Sequence, residues 1–362
     1  MTSSCRICVL SLFSFLLEGC SLLGPVPQSR PESTLAPEGD DTFSLVILPD
    51  TQKYVETESD FGLFTAQTHW IALHKEELNI AFVLHAGDIV ENSDRDLEWR
   101  RAGRALSILD NKVPYILAVG NHDLEGPATF DKTRATRAYN HYFPASKFQA
   151  QPWYGGSQRA GENDNYYTLF EHKNLKFLII SLEFAPPNEV LQWANQVAAA
   201  HPDRRIVVLT HCYLDTLNER ATHVGLINPH NFNLPQVNDG EHLWTRFVSR
   251  HKNIFLVVSG HYHGVGRLTS VGVHGNKVHQ VLANYQSRRF YGRYGWLRIM
   301  QFFPRTDTIA VKTFSPYLNE WLTDGENEFV LRYDMRDPGQ QPRHAEVSRP
   351  PAAAIGEARL GS

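Results

Sequence analysis

The sequence predicts an α/β fold with a largely parallel sheet, and three observations carry that reading. Six short, apolar, β-branched runs each end in polar residues. Helical hydrophobic spacing fills several of the gaps between them. Past Gly264 the pattern becomes strand, turn, strand, which predicts a second, more antiparallel sheet.

In chain order the runs are FSLVIL from Phe43, IAFVLHAGD from Ile80, VPYILAVGNHD from Val113, LKFLIISLE from Leu175, RIVVLTH from Arg205 and NIFLVVSGH from Asn253. Their length and β-branching suit buried strands. Helices are expected over Phe61 to Leu78, Arg95 to Leu109, Asn188 to Ala200 and Gly240 to His251. Later strands are expected in VGVHG, KVHQVLANY, GWLRIMQFF and TIAVKTF. The polar, Gly- and Pro-rich stretches 125–165 and 213–239 are too long for plain connections and read as lids or binding loops.

The two ends differ from the body. Residues 1–20 pair one early charge, Arg6, with an eleven-residue apolar run from Ile7 to Leu17, too short to cross a bilayer. This is the pattern of a signal peptide, and Leu17-Glu18-Gly19-Cys20 resembles the bacterial lipoprotein box, which would put a lipid on Cys20 and attach the protein to a membrane. Residues 21–40, with Pro25, Pro27, Pro31 and Pro37, read as a disordered linker, and 337–362, with Pro338, Pro342, Pro350 and Pro351, as a disordered tail. One domain is left, over 41–336. The protein is expected to be exported, to the periplasm or the cell surface.

Composition excludes some classes of function. Thirty-nine acidic against 35 basic residues give a net charge of -4, so no field gathers nucleic acid and no nucleic-acid partner is expected. Of four cysteines only Cys212 lies in the body, which excludes a disulfide framework. Cys212 follows a β-branched strand and reads as a small buried apolar residue, not a nucleophile.

The strands end, one after another, in metal-ligand types: Asp50 with Gln52, Asp88, Asn121 with His122, His211, and His261 with His263. In α/β sheets ligands bind beyond the carboxyl ends of strands, so these side chains can converge on one rim. Seven such oxygen and nitrogen donors, leaving His122 aside, suit two divalent or trivalent cations. Alone, each motif is no more than a turn or a strand-end histidine; the ordered series carries the inference.

That series, Asp50-Thr51-Gln52, Gly87-Asp88, Gly120-Asn121-His122-Asp123, His211 and Gly260-His261-Tyr262-His263, resembles the calcineurin-like metallophosphoesterase superfamily across about residues 43 to 315. The resemblance implies a two-sheet β sandwich flanked by helices, with the metal site at the strand C-terminal rim. It implies that Asp50, Gln52, Asp88 and His263 hold one metal and Asp88, Asn121, His211 and His261 the other, with Asp88 bridging. The metals would be Mn, Zn, Fe or Ni. It further implies hydrolysis of phosphomonoesters or phosphodiesters, with a metal-bridging hydroxide attacking phosphorus in line and His122 as general acid.

Three positions depart from named branches. Gln52 stands where most of the superfamily has histidine, as in branches that carry Asp-x-Gln; its amide oxygen is a neutral, harder ligand. Asn92 takes the place of the phosphate-gripping arginine of protein Ser/Thr phosphatases. Glu91 takes the place of the tyrosine ligand of purple acid phosphatases, so a colourless protein is expected.

Candidates for holding a small-molecule or surface phosphoester are Arg288, Arg289 and Arg293, which can grip phosphate bidentately, and His223 and His230 in the second long stretch. Tryptophans and tyrosines in 139–167 are candidates to stack on an organic leaving group. Two alternatives compete: a lipid-anchored binding protein with an inert metal site, and a hydrolase of nucleotide or lipid pyrophosphates on the same scaffold.

Overall fold

A computed structural model describes residues 41–335. The expected signal peptide, linker and tail lie outside the described residues. In chain order the elements are β1 (Phe43–Leu48), α1 (Gln52–Val55), α2 (Glu58–Leu73), β2 (Ile80–His85), α3 (Asp96–Leu106), β3 (Tyr115–Leu117), α4 (Arg137–Tyr142), α5 (Ala145–Gln149), β4 (Tyr154–Ser157), β5 (Tyr166–His172), β6 (Leu175–Leu182) and α6 (Asn188–Ala200). There follow β7 (Arg205–Thr210), α7 (Gly240–Arg246), β8 (Ile254–Ser259), β9 (Gly264–Val271), β10 (Lys277–Asn284), α8 (Arg288–Tyr291), β11 (Leu297–Phe303), β12 (Thr308–Ser315), β13 (Glu320–Leu322) and β14 (Phe329–Arg332).

Two seven-stranded sheets result. One runs β13-β12-β11-β1-β2-β3, with β14 also on β12, and the other β4-β5-β6-β7-β8-β10-β9. Each has a parallel part, β1-β2-β3 at one edge of the first and β6-β7-β8-β10 at the centre of the second. Antiparallel strands extend both. The expectation of a separate antiparallel sheet past Gly264 is therefore corrected. The later strands divide between the two sheets, because alternation marks a half-buried strand without fixing its partner. VGVHG is also not a strand of its own: it closes the β9–β10 hairpin, where Gly272 N donates to Asn276 O.

The sandwich core follows from period-two alternation. Phe43, Leu45 and Ile47 of β1 meet Phe177 and Ile179 of β6, Val207 and Leu209 of β7, and Phe302 of β11, all buried. Phe43 stacks on Phe302 with centroids 4.6 Å apart. The outer faces carry helices. The apolar face of α6, with Val190, Leu191 and Ala194, packs with Leu243 of α7 on Leu178, Ile180 and Val208. On the other sheet α2 lays Trp70 against Phe314 at 5.1 Å. Its start is set by Thr57, whose hydroxyl accepts from Asp60 N, with Glu58 and Asp60 in the first turn.

Of the two long stretches, 125–165 is not a free loop, since α4, α5 and β4 lie within it and β4 pairs with β5. The stretch 213–239 carries only a short 3-10 turn at Pro229–Phe232. Among the described residues no helix is long and apolar enough to cross a membrane.

Candidate metal centre

Parallel neighbours end on the same side, so β1, β2 and β3 from one sheet and β7 and β8 from the other bring their carboxyl ends to one rim. The turns there are tight. Asp88 has φ +49° and His261 φ +72°, conformations costly for residues with a Cβ. Gly87 has φ +95°, and a Cβ there would stand 2.7 Å from His211 Nδ1. At Gly120 an added Cβ would fall 2.1 Å from Asp88 Oδ1, and at Gly260 2.1 Å from Asp50 Oδ1. Glycine at these positions lets backbone press against the carboxylates.

Asp88 is the hub. Its Oδ1 accepts from His122 N at 2.9 Å, and its Oδ2 accepts from Gln52 Nε2 at 3.0 Å and lies 3.2 Å from His211 Nε2. Asp88 O accepts from the backbone N–H of both Thr51 and Gln52. The first and second motifs are thus tied through main chain as well as side chain.

Hydrogen bonds aim the imidazoles. His211 Nδ1 donates to Ala86 O at 2.8 Å, which turns Nε2 toward Asp88 and toward Asn121 Oδ1 at 3.1 Å. His261 Nε2 donates to Ile227 O at 2.6 Å and leaves Nδ1 as its free lone pair. Asp88, His211 and His261 offer ligand atoms all within 4.8 Å of one another. Asp50, buried, accepts from Asn284 Nδ2 at 2.7 Å and from His261 N at 3.1 Å.

The electrostatics ask for positive charge. Burial pushes the Asp50 carboxyl well above the usual range, and the Asp88 charge adds to this against the pull of His211. Burial also raises Asp88, but the charges of His211 and His122 and the His211 contact outweigh it and hold Asp88 below the carboxylate range. Burial alone would lower His211; the Asp88 and Asp50 carboxylates lift it to about 9. His261 is lowered to about 3, first by burial and then by His211.

Gln52 supplies the test of fit. Its Nε2 is used on Asp88, while its Oε1 is buried without a hydrogen-bond partner. A buried amide oxygen left bare costs stability unless something electropositive meets it. Together with two buried carboxylates and two aimed imidazoles, it fits a cation site.

The expected donors come together with one exception in exposure. Asp50, Gln52, Asp88, Asn121, His211 and His261 are buried, whereas His263 is exposed at the mouth, where its Nε2 lies 3.2 Å from Gln286 Nε2. His122 Nδ1 donates to Glu91 O at 2.8 Å and lies 3.6 Å from the Glu91 carboxylate, which pairs with Lys53 at 2.6 Å. Glu91, standing where a tyrosine ligand was considered, thus serves His122. Asn92 donates to Glu98 Oε1 at 2.8 Å.

The substrate candidates separate. Arg293 Nε donates to Gln286 O at 2.7 Å, next to His263, while Arg288 is 71% exposed and points to Asp60 at 3.7 Å. Arg289 and His223 are exposed. His230 turns to Asp239, Nε2 to Oδ2 at 2.8 Å. The aromatic residues of 139–167 are a correction. Tyr139 and Tyr166 are fully buried, and Trp153 and Tyr154 pack on the inter-sheet core, so these rings build the sandwich and do not line the rim. Cys212 is buried and unpaired, and burial raises its thiol.

Four positioning groups escaped the sequence reading. Asp123 Oδ1 accepts from Ile89 N and Val90 N, and its Oδ2 from Gly120 N, clamping the two turns that carry Asp88 and Asn121. His85 bridges Thr51 Oγ1 and Gly87 N. Asn284 steadies Asp50, and the Ile227 carbonyl steadies His261. Asn284 does end the apolar run KVHQVLAN, and that strand-end signal could have found it.

The sequence model of the calcineurin-like phosphoesterase family matches residues 43–265. The chain is 32% identical over 313 residues to a Bacillus subtilis (strain 168) protein named "Uncharacterized protein YvnB", covering 83% of this chain and 22% of that protein's length. Purple acid phosphatase PPD1 of yellow lupin (Lupinus luteus) is a similar solved structure, with TM-score 0.51 and 14% identity over 83% of this chain and 55% of that one. At that identity the likeness is one of fold.

Proposed function

Since the chain belongs to the calcineurin-like phosphoesterase family, we propose that it hydrolyses phosphomonoesters or phosphodiesters at a binuclear metal centre. The observation that carries the reading is Gln52 Oε1, a buried acceptor without a partner beside Asp88, in a rim that also gathers Asp50, Asn121, His211 and His261. Asp50, Gln52, Asp88 and His263 would hold one ion and Asp88, Asn121, His211 and His261 the other. The ions would supply Lewis-acid activation of water and neutralise charge on the phosphoryl oxygens.

The chain's own groups do the rest. Asp88 Oδ2 faces a proposed ligand of each ion, Gln52 and His211, and Asp123 keeps the two turns in register. His122, with Nδ1 fixed on Glu91 O and 3.6 Å from the Glu91 carboxylate, leaves Nε2 free to face a substrate. A proton held at Nε2 can pass to the leaving oxygen. This placement of His122 supports catalysis over an inert binding site. The signal-peptide pattern supports an exported enzyme, acting on esters that reach the periplasm or cell surface.

The test is to strip the purified protein of metal and restore Mn²⁺, Zn²⁺, Fe²⁺ or Ni²⁺ separately. Turnover of p-nitrophenyl phosphate and bis-p-nitrophenyl phosphate is then assayed. Two bound ions with metal-dependent turnover are expected, and the preferred ester assigns mono- or diesterase. Tight metal binding with no turnover on either ester would count against the reading.

A further inference from the structure

A second group of metal-ligand side chains stands apart from the rim. His230, in the 3-10 turn of the 213–239 stretch, meets Asp239 and His242 at the start of α7, and the three offer ligand atoms all within 4.8 Å of one another. His230 Nε2 is 2.8 Å from Asp239 Oδ2, and His242 Nδ1 is 3.0 Å from Asp239 Oδ1. The carboxylate is 5% exposed, and its Oδ1 also accepts from His242 N at 2.9 Å.

The two imidazoles meet this carboxylate differently. The His230 contact has hydrogen-bond geometry. His242 Nδ1 is buried and makes no hydrogen bond, although a carboxylate oxygen lies 3.0 Å away. A buried ring nitrogen left without a hydrogen bond is unfavourable as it stands. A cation between the three side chains resolves it, because both nitrogens and the carboxylate then serve as donors. Tetrahedral ligands of zinc, at about 2.0–2.1 Å from the ion, stand roughly 3.3 Å from each other, a few tenths of an ångström more than each imidazole's distance to its nearest carboxylate oxygen. Two imidazoles and one carboxylate select a zinc-type ion over magnesium or calcium.

We propose that His230, Asp239 and His242 bind a single zinc-type divalent cation that pins the 213–239 stretch onto α7. The position gives the clamp a purpose. Two residues from His230, Phe232 packs on Phe184 at 4.9 Å and lies 5.9 Å from the His261 ring. Three residues before it, Ile227 takes the His261 Nε2–H. Fixing His230 therefore fixes the groups that orient His261. Three protein ligands leave the fourth tetrahedral position to water.

The experiment counts metal by mass spectrometry on the full protein after zinc loading and gel filtration. The comparison is between Asp88→Asn and Asp88→Asn with His230→Ala, because Asp88→Asn already removes most binding at the rim site that His261 serves, in both proteins. The double variant should hold one equivalent less. In the otherwise wild-type protein, His230→Ala should lose zinc-dependent protection of 213–239 from proteolysis and part of the zinc-dependent rise in Tm. Equal zinc content in the two Asp88→Asn proteins, or unchanged protection, overturns the proposal. Cobalt loaded into Asp88→Asn provides a check that does not depend on the His230 variant folding. A tetrahedral visible spectrum supports the site, and its absence counts against it. None of these readouts depends on phosphoesterase activity, so failure of that reading and failure of this one are distinguishable.

Discussion

Gln52 gives its amide N–H to Asp88 Oδ2 at 3.0 Å and holds its own Oε1, buried and bare, on the same side of the rim. One short side chain thus both steadies the proposed bridging carboxylate and offers a neutral oxygen where imidazole is commoner in the family.

Gln52→Ala should therefore weaken one ion and spare the other. Loss of a ligand and of a hydrogen bond to the bridging group is expected to lower the affinity of that ion about 10–100-fold. Gln52→His should restore two tight ions and move preference toward Zn²⁺, since imidazole suits it better than an amide oxygen does. Metal titration by calorimetry reads both; equal affinities for wild type and the alanine variant would remove Gln52 from the ligand set.

Asp88→Asn should abolish turnover and most binding at the second site. The substitution removes the negative charge that both ions would share and that faces His211 at 3.2 Å. Full occupancy with normal turnover would refute the bridging role.

His122→Ala should keep both ions and slow turnover by about 10² to 10⁴, the usual scale for a general acid. The side chain is held by Glu91 and not by the ligand set, so metal content should not change. Esters with good leaving groups should lose least. A uniform loss across leaving groups would reassign His122 to transition-state charge stabilisation, and an unchanged rate on a poor leaving group would remove it from the mechanism.

Much of the site was legible because it is built at strand ends. Asp50, Asp88, Asn121 and His211 each close an apolar run, and parallel neighbours deliver their ends to one side. Partnership between strands was not legible. β10, expected within KVHQVLANY, pairs antiparallel with β9 but also lies parallel to β8 and so brings Asn284 to Asp50. Asp123 acts through three backbone N–H groups from two turns, and the trio His230, Asp239 and His242 joins a loop to a helix; both depend on closure of the chain in space. The rings of 139–167 misled because composition does not tell a core-facing tyrosine from a site-facing one: Tyr166 spends its hydroxyl on Leu117 N inside the sandwich.

The last prediction concerns pH. Without metal, burial disfavours charge on His211, but the carboxylates of Asp88 and Asp50 prevail and raise it to about 9, against 6.5 for the free side chain. A raised histidine stabilises the folded, metal-free protein fully below about pH 6.5, and that contribution is lost as pH rises through about 9. The Tm of the metal-free protein should accordingly fall across this window. Metal binding must run the other way, since coordination requires a neutral Nε2 and the ion taken up at the second site displaces the His211 proton. Affinity at the second site should rise by up to about tenfold per pH unit between 6.5 and 8.5, the slope set by the one His211 proton displaced. Calorimetric titration in buffers of different ionisation enthalpy measures the protons released. Affinity independent of pH over that range, with no proton release, would show that the His211–Asp88 pair is not the group the ion displaces.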